Sequence, residues 1–220
     1  MAAGQLRRAW CITGLVIAVG ASATGCGEEK EPPRYVGAAE VCDGLFKGPL
    51  AKTIESVTGA TSFSWTSPKD MDRVVEGLKA GYESGNRWAE GGELCVLRPK
   101  RVASADRSRI WFNMSTPEDL EVSGDPGNRR DYTMGKLSQA VPRGASLYFE
   151  CVSPQIEGSK ERPLRIGGRF FHSGATAQNT PEHLAANVTI VHGASLAVAK
   201  KLQCENNGGL PEKPVLKPRT

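Results

Sequence analysis

The sequence predicts an α+β domain, a mostly antiparallel sheet with packed helices, braced by two disulfides. Three observations carry this. Residues 180–202 hold an apolar helical period with clear capping signals at both ends. Several segments between residues 93 and 172 are short, β-branched and aromatic, with turn formers between them. The cysteines that follow an export-type leader are four in number once a distinct role is given to Cys26. Helices flanking a run of strands define the α+β class.

The chain opens with "MAAGQLRR", a short n-region carrying Arg7 and Arg8, followed by an apolar stretch from Trp10 to Val19. That stretch is shorter than the roughly 20 apolar residues of a spanning helix and fits the h-region of an export signal. Small residues Ala23, Thr24 and Gly25 lead to Cys26. This resembles a bacterial lipobox, in which the cysteine sulfur receives a diacylglycerol and cleavage leaves that cysteine as the first residue. Ala23 stands where such a pattern more often has Leu. Arg7-Arg8 ahead of Trp10 also has some character of a twin-arginine signal, without its usual flanking residues.

Cysteine parity supports lipidation of Cys26. Of six cysteines, Cys11 lies inside the leader; Cys26, Cys42, Cys95, Cys151 and Cys204 remain. An exported chain meets an oxidising compartment, where an even number of thiols is expected. Lipid on Cys26 leaves four. An ordinary signal peptide cleaved near Ala23 would instead leave one thiol unpaired. The expected organisation is therefore residues 1–25 as leader, 26–38 as tether, 39–211 as one globular domain and 212–220 as a flexible basic tail. "GEEKEPPRYVG" after Cys26 is charged and proline-broken, without apolar periodicity, and reads as a spacer. A diacylglyceryl group supplies the two chains that stable anchoring needs, which puts the domain on the outer face of a cell membrane.

Net charge is +4 for the whole chain and aromatic residues make up 6% of it. Without a long basic block, this balance argues against nucleic-acid binding. No second apolar stretch is long enough to span a bilayer.

The elements follow in order. "DGLFKGPLAKTIESVTGA" after Cys42 reads as a helix with Leu45, Leu50, Ile54 and Val57 near one face and Gly59 as its stop. In "SPKDMDRVVEGLKAGYESG", Ser67 is the expected N-cap, Pro68 the first helical residue and Asp70 a first-turn acid. Met71, Val74, Val75, Leu78 and Tyr82 give the period, and Gly85 ends it. "ELCVLRP" and "SRIWFNM" read as strands. Residues 115–144 are polar and rich in turn formers, with a turn expected at Asp125-Pro126-Gly127. "ASLYFECVS" and "RPLRIGGRFFHS" read as two further strands, the second placed at a sheet edge by Pro163. In the last helix Thr180 caps, Pro181 opens and Glu182 complements the dipole. Leu184, Val188, Val191, Ser195, Val198 and Leu202 form its stripe, Lys200 and Lys201 sit in its last turns, and "NNGG" terminates it.

Four cysteines allow three pairings. The one local to each half of the chain is Cys42–Cys95 with Cys151–Cys204, each linking a helix end to a strand. The four sites are scattered and contain no CxxC, so structural disulfides are expected rather than metal or redox use. "VCDGLF…AKTIESVTGA", the cysteine of "ELCVL", "YFECVSP" and "AKKLQCENNGGLP" together resemble a group of uncharacterised lipoproteins from high-GC, Streptomyces-type actinobacteria with paired structural cysteines. The resemblance spans most of the chain after Cys26. It implies location and architecture and carries no catalytic residues.

Candidate chemistry is sparse. Gly193-Ala-Ser195-Leu-Ala197 approximates a nucleophile elbow, with Ala197 where the second glycine belongs. Ser195 also falls in the helical stripe, which favours a small buried packing residue. His183 and His192 are nine residues apart, on opposite faces of one helix, and cannot share a metal there. His172 ends a strand and could in principle serve a nucleophile; a satisfied structural histidine is the simpler reading. Asp70, Asp72 and Glu76 look like a carboxylate cluster but suit a helix N-terminus. No P-loop or dinucleotide fingerprint is present, and neither a catalytic set, a metal nor a cofactor is expected. The tail "LPEKPVLKPRT" has only the first two letters of a sortase signal and no apolar segment after them. Its charge suits anionic lipid or wall polymer.

Two functions are therefore carried forward. One is a lipid-anchored extracytoplasmic module that binds an envelope protein or a small ligand, with Trp65, Trp88 or Trp111 lining its groove unless they fill the core, the simpler fate for Trp111. The other is a small envelope serine hydrolase built on Ser195 and His172. A two-lobed solute-binding protein would need a longer chain.

Overall fold

A computed structural model describes residues 34–86, 89–100, 106–120, 126–174 and 176–219. They belong to one compact unit, Pro33–Thr220, which holds its own core and both disulfides. The α+β class is as expected. Eight strands form one antiparallel sheet: β1 (Val36–Gly37), β2 (Ser62–Thr66), β3 (Glu90–Pro99), β4 (Ser108–Met114), β5 (Arg130–Tyr132), β6 (Leu137–Val141), β7 (Gly144–Cys151) and β8 (Leu164–His172). Their order across the sheet is β1-β2-β3-β4-β8-β7-β6-β5. Three helices, α1 (Pro49–Thr58), α2 (Met71–Glu83) and α3 (Pro181–Lys201), pack over it: α2 on β3 and β4, α3 on β6, β7 and β8, and α1 against α3.

Strand alternation sets the two faces. On β4, Ile110, Phe112 and Met114 are buried toward the helices, while Trp111 and Arg109 point away. On β8, Leu164, Ile166, Gly168, Phe170 and His172 line the helix side. From α3, every member of the predicted stripe is buried, together with Ile190 and Ala194. The helix is buried on two sides because α1 covers the flank that the sheet does not. Burial of these aliphatic groups, each worth about 1.5–3 kcal/mol, is what holds α3 down.

Several expected boundaries move. The first helix begins at Pro49 rather than just after Cys42, where a short 3₁₀ turn (Cys42–Gly44) stands instead. Pro49 favours the first helical position, and Gly59 closes the helix with φ of 62° in the left-handed region that glycine tolerates. The cap of α2 is Asp70, whose carboxylate accepts the Arg73 N–H at 2.9 Å; Ser67 donates instead to the Leu94 carbonyl at 2.9 Å. Strand β3 competes for Ser67 and wins, so the helix starts three residues later than its Ser-Pro signal suggests.

Strand β8 lies between β4 and β7, in the middle of the sheet. Pro163 precedes its first residue and so removes no ladder hydrogen bond, which is why an edge position was not required. Residues 115–144 are not all loop: β5 and β6 form there as a short meander, too polar and brief to carry a strand signature. Pro126–Asn128 form a single 3₁₀ turn, and Asp125 lies outside the described residues.

Both chain-end expectations also change. Val36 pairs with Phe63 and Ala38 is buried, so the far end of the expected 26–38 tether belongs to the sheet. The tail is docked rather than flexible. Pro218 bridges Tyr132, Thr133 N–H reaches the Lys217 carbonyl at 3.1 Å and Arg219 N–H reaches the Asp131 carbonyl at 2.9 Å. Strand β5 would otherwise expose an open edge, and the tail satisfies its backbone groups.

Candidate functional site: a rim cleft and a buried histidine pair

The four cysteines pair as the local reading expects. Cys42 joins Cys95 of β3 with Cα atoms 5.8 Å apart, and Cys151 at the end of β7 joins Cys204 just beyond α3 with Cα atoms 5.0 Å apart. Each loop spans 53 residues. One bridge ties the 3₁₀ turn ahead of α1 to the sheet; the other ties down the end of α3. Cys26 and the leader lie outside the described residues.

Ser195 sits in mid-helix, 0% exposed, with its Oγ lacking any hydrogen-bond partner. Its neighbour across the interface is Gly168 of β8: a Cβ on that glycine would lie 2.6 Å from Ser195 Oγ and 2.7 Å from Phe112 Cε1. Gly193 likewise faces Leu50 of α1, where a Cβ would clash. The small residues of "HGASLA" thus let α3 approach the sheet on one side and α1 on the other. A nucleophile elbow needs a strand before a sharp turn and a base hydrogen-bonded to the hydroxyl. Neither arrangement surrounds Ser195.

His172 is engaged elsewhere. Its Nε2 lies 3.2 Å from the Pro142 carbonyl, which His183 Nε2 also approaches at 2.9 Å. Asn187 Nδ2 donates to the Val141 carbonyl at 3.0 Å and to that of Pro142 at 3.4 Å. A carbonyl only accepts, so each imidazole must carry its proton on Nε2. The two rings meet edge to face at 5.4 Å, and Phe170 stacks on His172 at 5.8 Å. The β6–β7 turn is therefore gripped by β8 and α3 together. Burial pushes the His172 imidazole down to about 4, with the His183 charge adding to this; the Pro142 hydrogen bond acts in the opposite direction. His192, on the other face of α3, meets the Pro211 carbonyl at 2.8 Å, and its pKa too is lowered by burial. It docks the segment that follows α3.

The acidic candidates separate into structural roles. Asp70 caps α2, Asp72 pairs with Lys201 at 2.5 Å and Glu76 pairs with Lys79 at 3.1 Å. Among the described residues no group of three or more His, Cys, Asp or Glu side chains is placed to hold a metal.

The tryptophans are more informative. Trp65 packs partly against the core and lines a wide cleft of about 690 Å³ at the β1–β2 edge, bordered by Arg34, Tyr35, Glu40, Arg98 and Asp106. Lys100 lies over the Tyr35 ring, 5.3 Å from its centroid. The volume falls within the roughly 300–1,000 Å³ of small-ligand sites. Trp111 does not fill the core: it lies on the sheet face turned away from the helices, in a smaller hollow of about 320 Å³ beside Arg109 and Arg169. Arg109 stacks 5.7 Å from its ring centroid, is ion-paired with Glu93, and so is already occupied. Arg169 pairs with Asp119 at 3.6 Å. Trp88 lies outside the described residues. The cleft residues come from four separated segments, so no local motif could have announced them.

No family model matches the chain, and no solved structure matches it.

Proposed function

We propose that this chain is a lipid-anchored extracytoplasmic binding module, held to the outer face of the cell membrane through a diacylglyceryl group on Cys26. It takes its ligand, a small molecule or a segment of an envelope protein, in the Trp65 cleft. The observation that carries the reading is that cleft, where two aromatic rings and two guanidinium groups line about 690 Å³ at the β1–β2 edge of the sheet. The lipobox-like "ASATGC" and the cysteine parity support the anchor, as does the resemblance to actinobacterial lipoproteins.

Mass spectrometry of the protein isolated from its membrane fraction tests both parts. Under denaturing conditions the expected mass is a chain starting at Cys26 plus diacylglyceryl, and Cys26→Ala should move the protein to the soluble fraction. Under native conditions a bound molecule should be present in wild type and lost in Trp65→Ala. An unmodified Cys26, or a bound molecule indifferent to Trp65→Ala, would overturn the corresponding part.

A further inference from the structure

We infer that the Trp65 cleft is a docking surface for the anionic phospholipid headgroups of the bilayer that anchors the chain. This rests on the binding-module reading and names the ligand of that same cleft. Charge comes first. Arg34 and Arg98 both line the cleft and neither has an ion-pair partner among the described residues; Lys100 joins them over Tyr35. Glu40 and Asp106 border the same cleft, so the three cations exceed the carboxylates by one positive charge. Unpaired guanidinium forks match phosphate oxygens in pairs. The Trp65 and Tyr35 rings have the apolar body and polar tip of side chains that settle at a membrane–water interface.

Chain length then makes the bilayer the occupant. Arg34 is the first described residue, and Cys26 lies eight residues before it. Fully extended, eight residues reach at most roughly 28 Å. A lipid on Cys26 therefore keeps the cleft within reach of the headgroups. The basic tail, the other cationic segment, is docked on β5, at the opposite edge of the sheet. Measured along the sheet, seven strand spacings, about 34 Å, separate the two edges. The tail does not share a docking surface with the cleft.

The test uses residues 27–220, oxidised, without lipid, in co-sedimentation with vesicles. Residues 34–219 hold the described core and both disulfides. Vesicles of phosphatidylcholine with about one third phosphatidylglycerol should bind at least tenfold tighter than phosphatidylcholine alone, with the difference shrinking as salt rises. At about fivefold per cation, Arg34→Ala with Arg98→Ala should cost roughly 30-fold. Lys217→Ala with Arg219→Ala removes the same charge from the tail docked on β5 and should change binding less than twofold. Trp65 fluorescence should be quenched by brominated lipid in wild type and not in Trp65→Phe. Equal loss from both double variants, equal binding to both vesicles, or full competition by millimolar glycerol phosphate would overturn the docking surface. None of these results alters the native-mass test of the Trp65 cleft, so the two readings fail separately.

Discussion

Replacing His172 with glutamine should flatten the acid dependence of stability. The wild-type imidazole is 1% exposed and its pKa falls from 6.5 to about 4. Its Nε2–H donates to the Pro142 carbonyl and its Nδ1 has no hydrogen-bond partner, so protonation would bury an unmatched N–H and a charge. The charged neighbours that bear on it are His183 from α3, Arg143 from the β6–β7 turn and Asp106 ahead of β4. Because the folded pKa is depressed, the unfolded chain binds the proton first. Stability is therefore complete above pH 6.5 and declines as pH falls toward 4. With 6.5 unfolded and about 4 folded, the loss is about 2 kcal/mol at pH 5 and about 3 kcal/mol at pH 4. Urea unfolding of wild type and His172→Gln at pH 7.5, 6 and 5 reads this directly, since carboxylate titrations common to both cancel in the difference. Glutamine can keep a donor toward Pro142 without titrating. The gap between the two proteins should move by about 2 kcal/mol toward the variant between pH 7.5 and 5. Parallel profiles would refute the assignment of His172 as a buried neutral imidazole.

Two further substitutions probe the interior. Ser195→Ala removes a fully buried hydroxyl that has no partner, so stability should hold or rise by up to about 1 kcal/mol; a loss above about 1 kcal/mol in urea titration, or selective labelling of wild type by a serine-reactive probe, would show that the hydroxyl has a role the packing does not reveal. Replacing Cys151 and Cys204 together with alanine opens a 53-residue loop and should cost roughly 4 kcal/mol, read as a lowered urea midpoint at unchanged pH; a cost below about 1 kcal/mol would mean that α3 is held by packing alone.

What was readable in the chain was whatever repeats over a short span. The stripe from Leu184 to Leu202, the capping pair Thr180 and Pro181, and the short apolar runs around Cys95 and Phe149 recur at the spacing of one backbone geometry, so their physics is local. The cysteine pairing was also within reach, because each bridge stays within one half of the chain. Ser195 was assigned to packing by the same periodicity.

The order of strands, the docking of the tail and the composition of the cleft were decided only by tertiary structure. Central β8 and the short β5–β6 meander depend on which edges find partners, a competition among distant segments that no window of sequence contains. His172 was expected alone or beside a nucleophile, yet it shares one carbonyl with His183 because β8 and α3 close on the same turn. Arg34, Trp65 and Arg98 meet for the same reason: β1, β2 and β3 are neighbours in the sheet though far apart in the chain. Local spacing determines what each segment becomes; burial of one shared core determines which side chains then face one another.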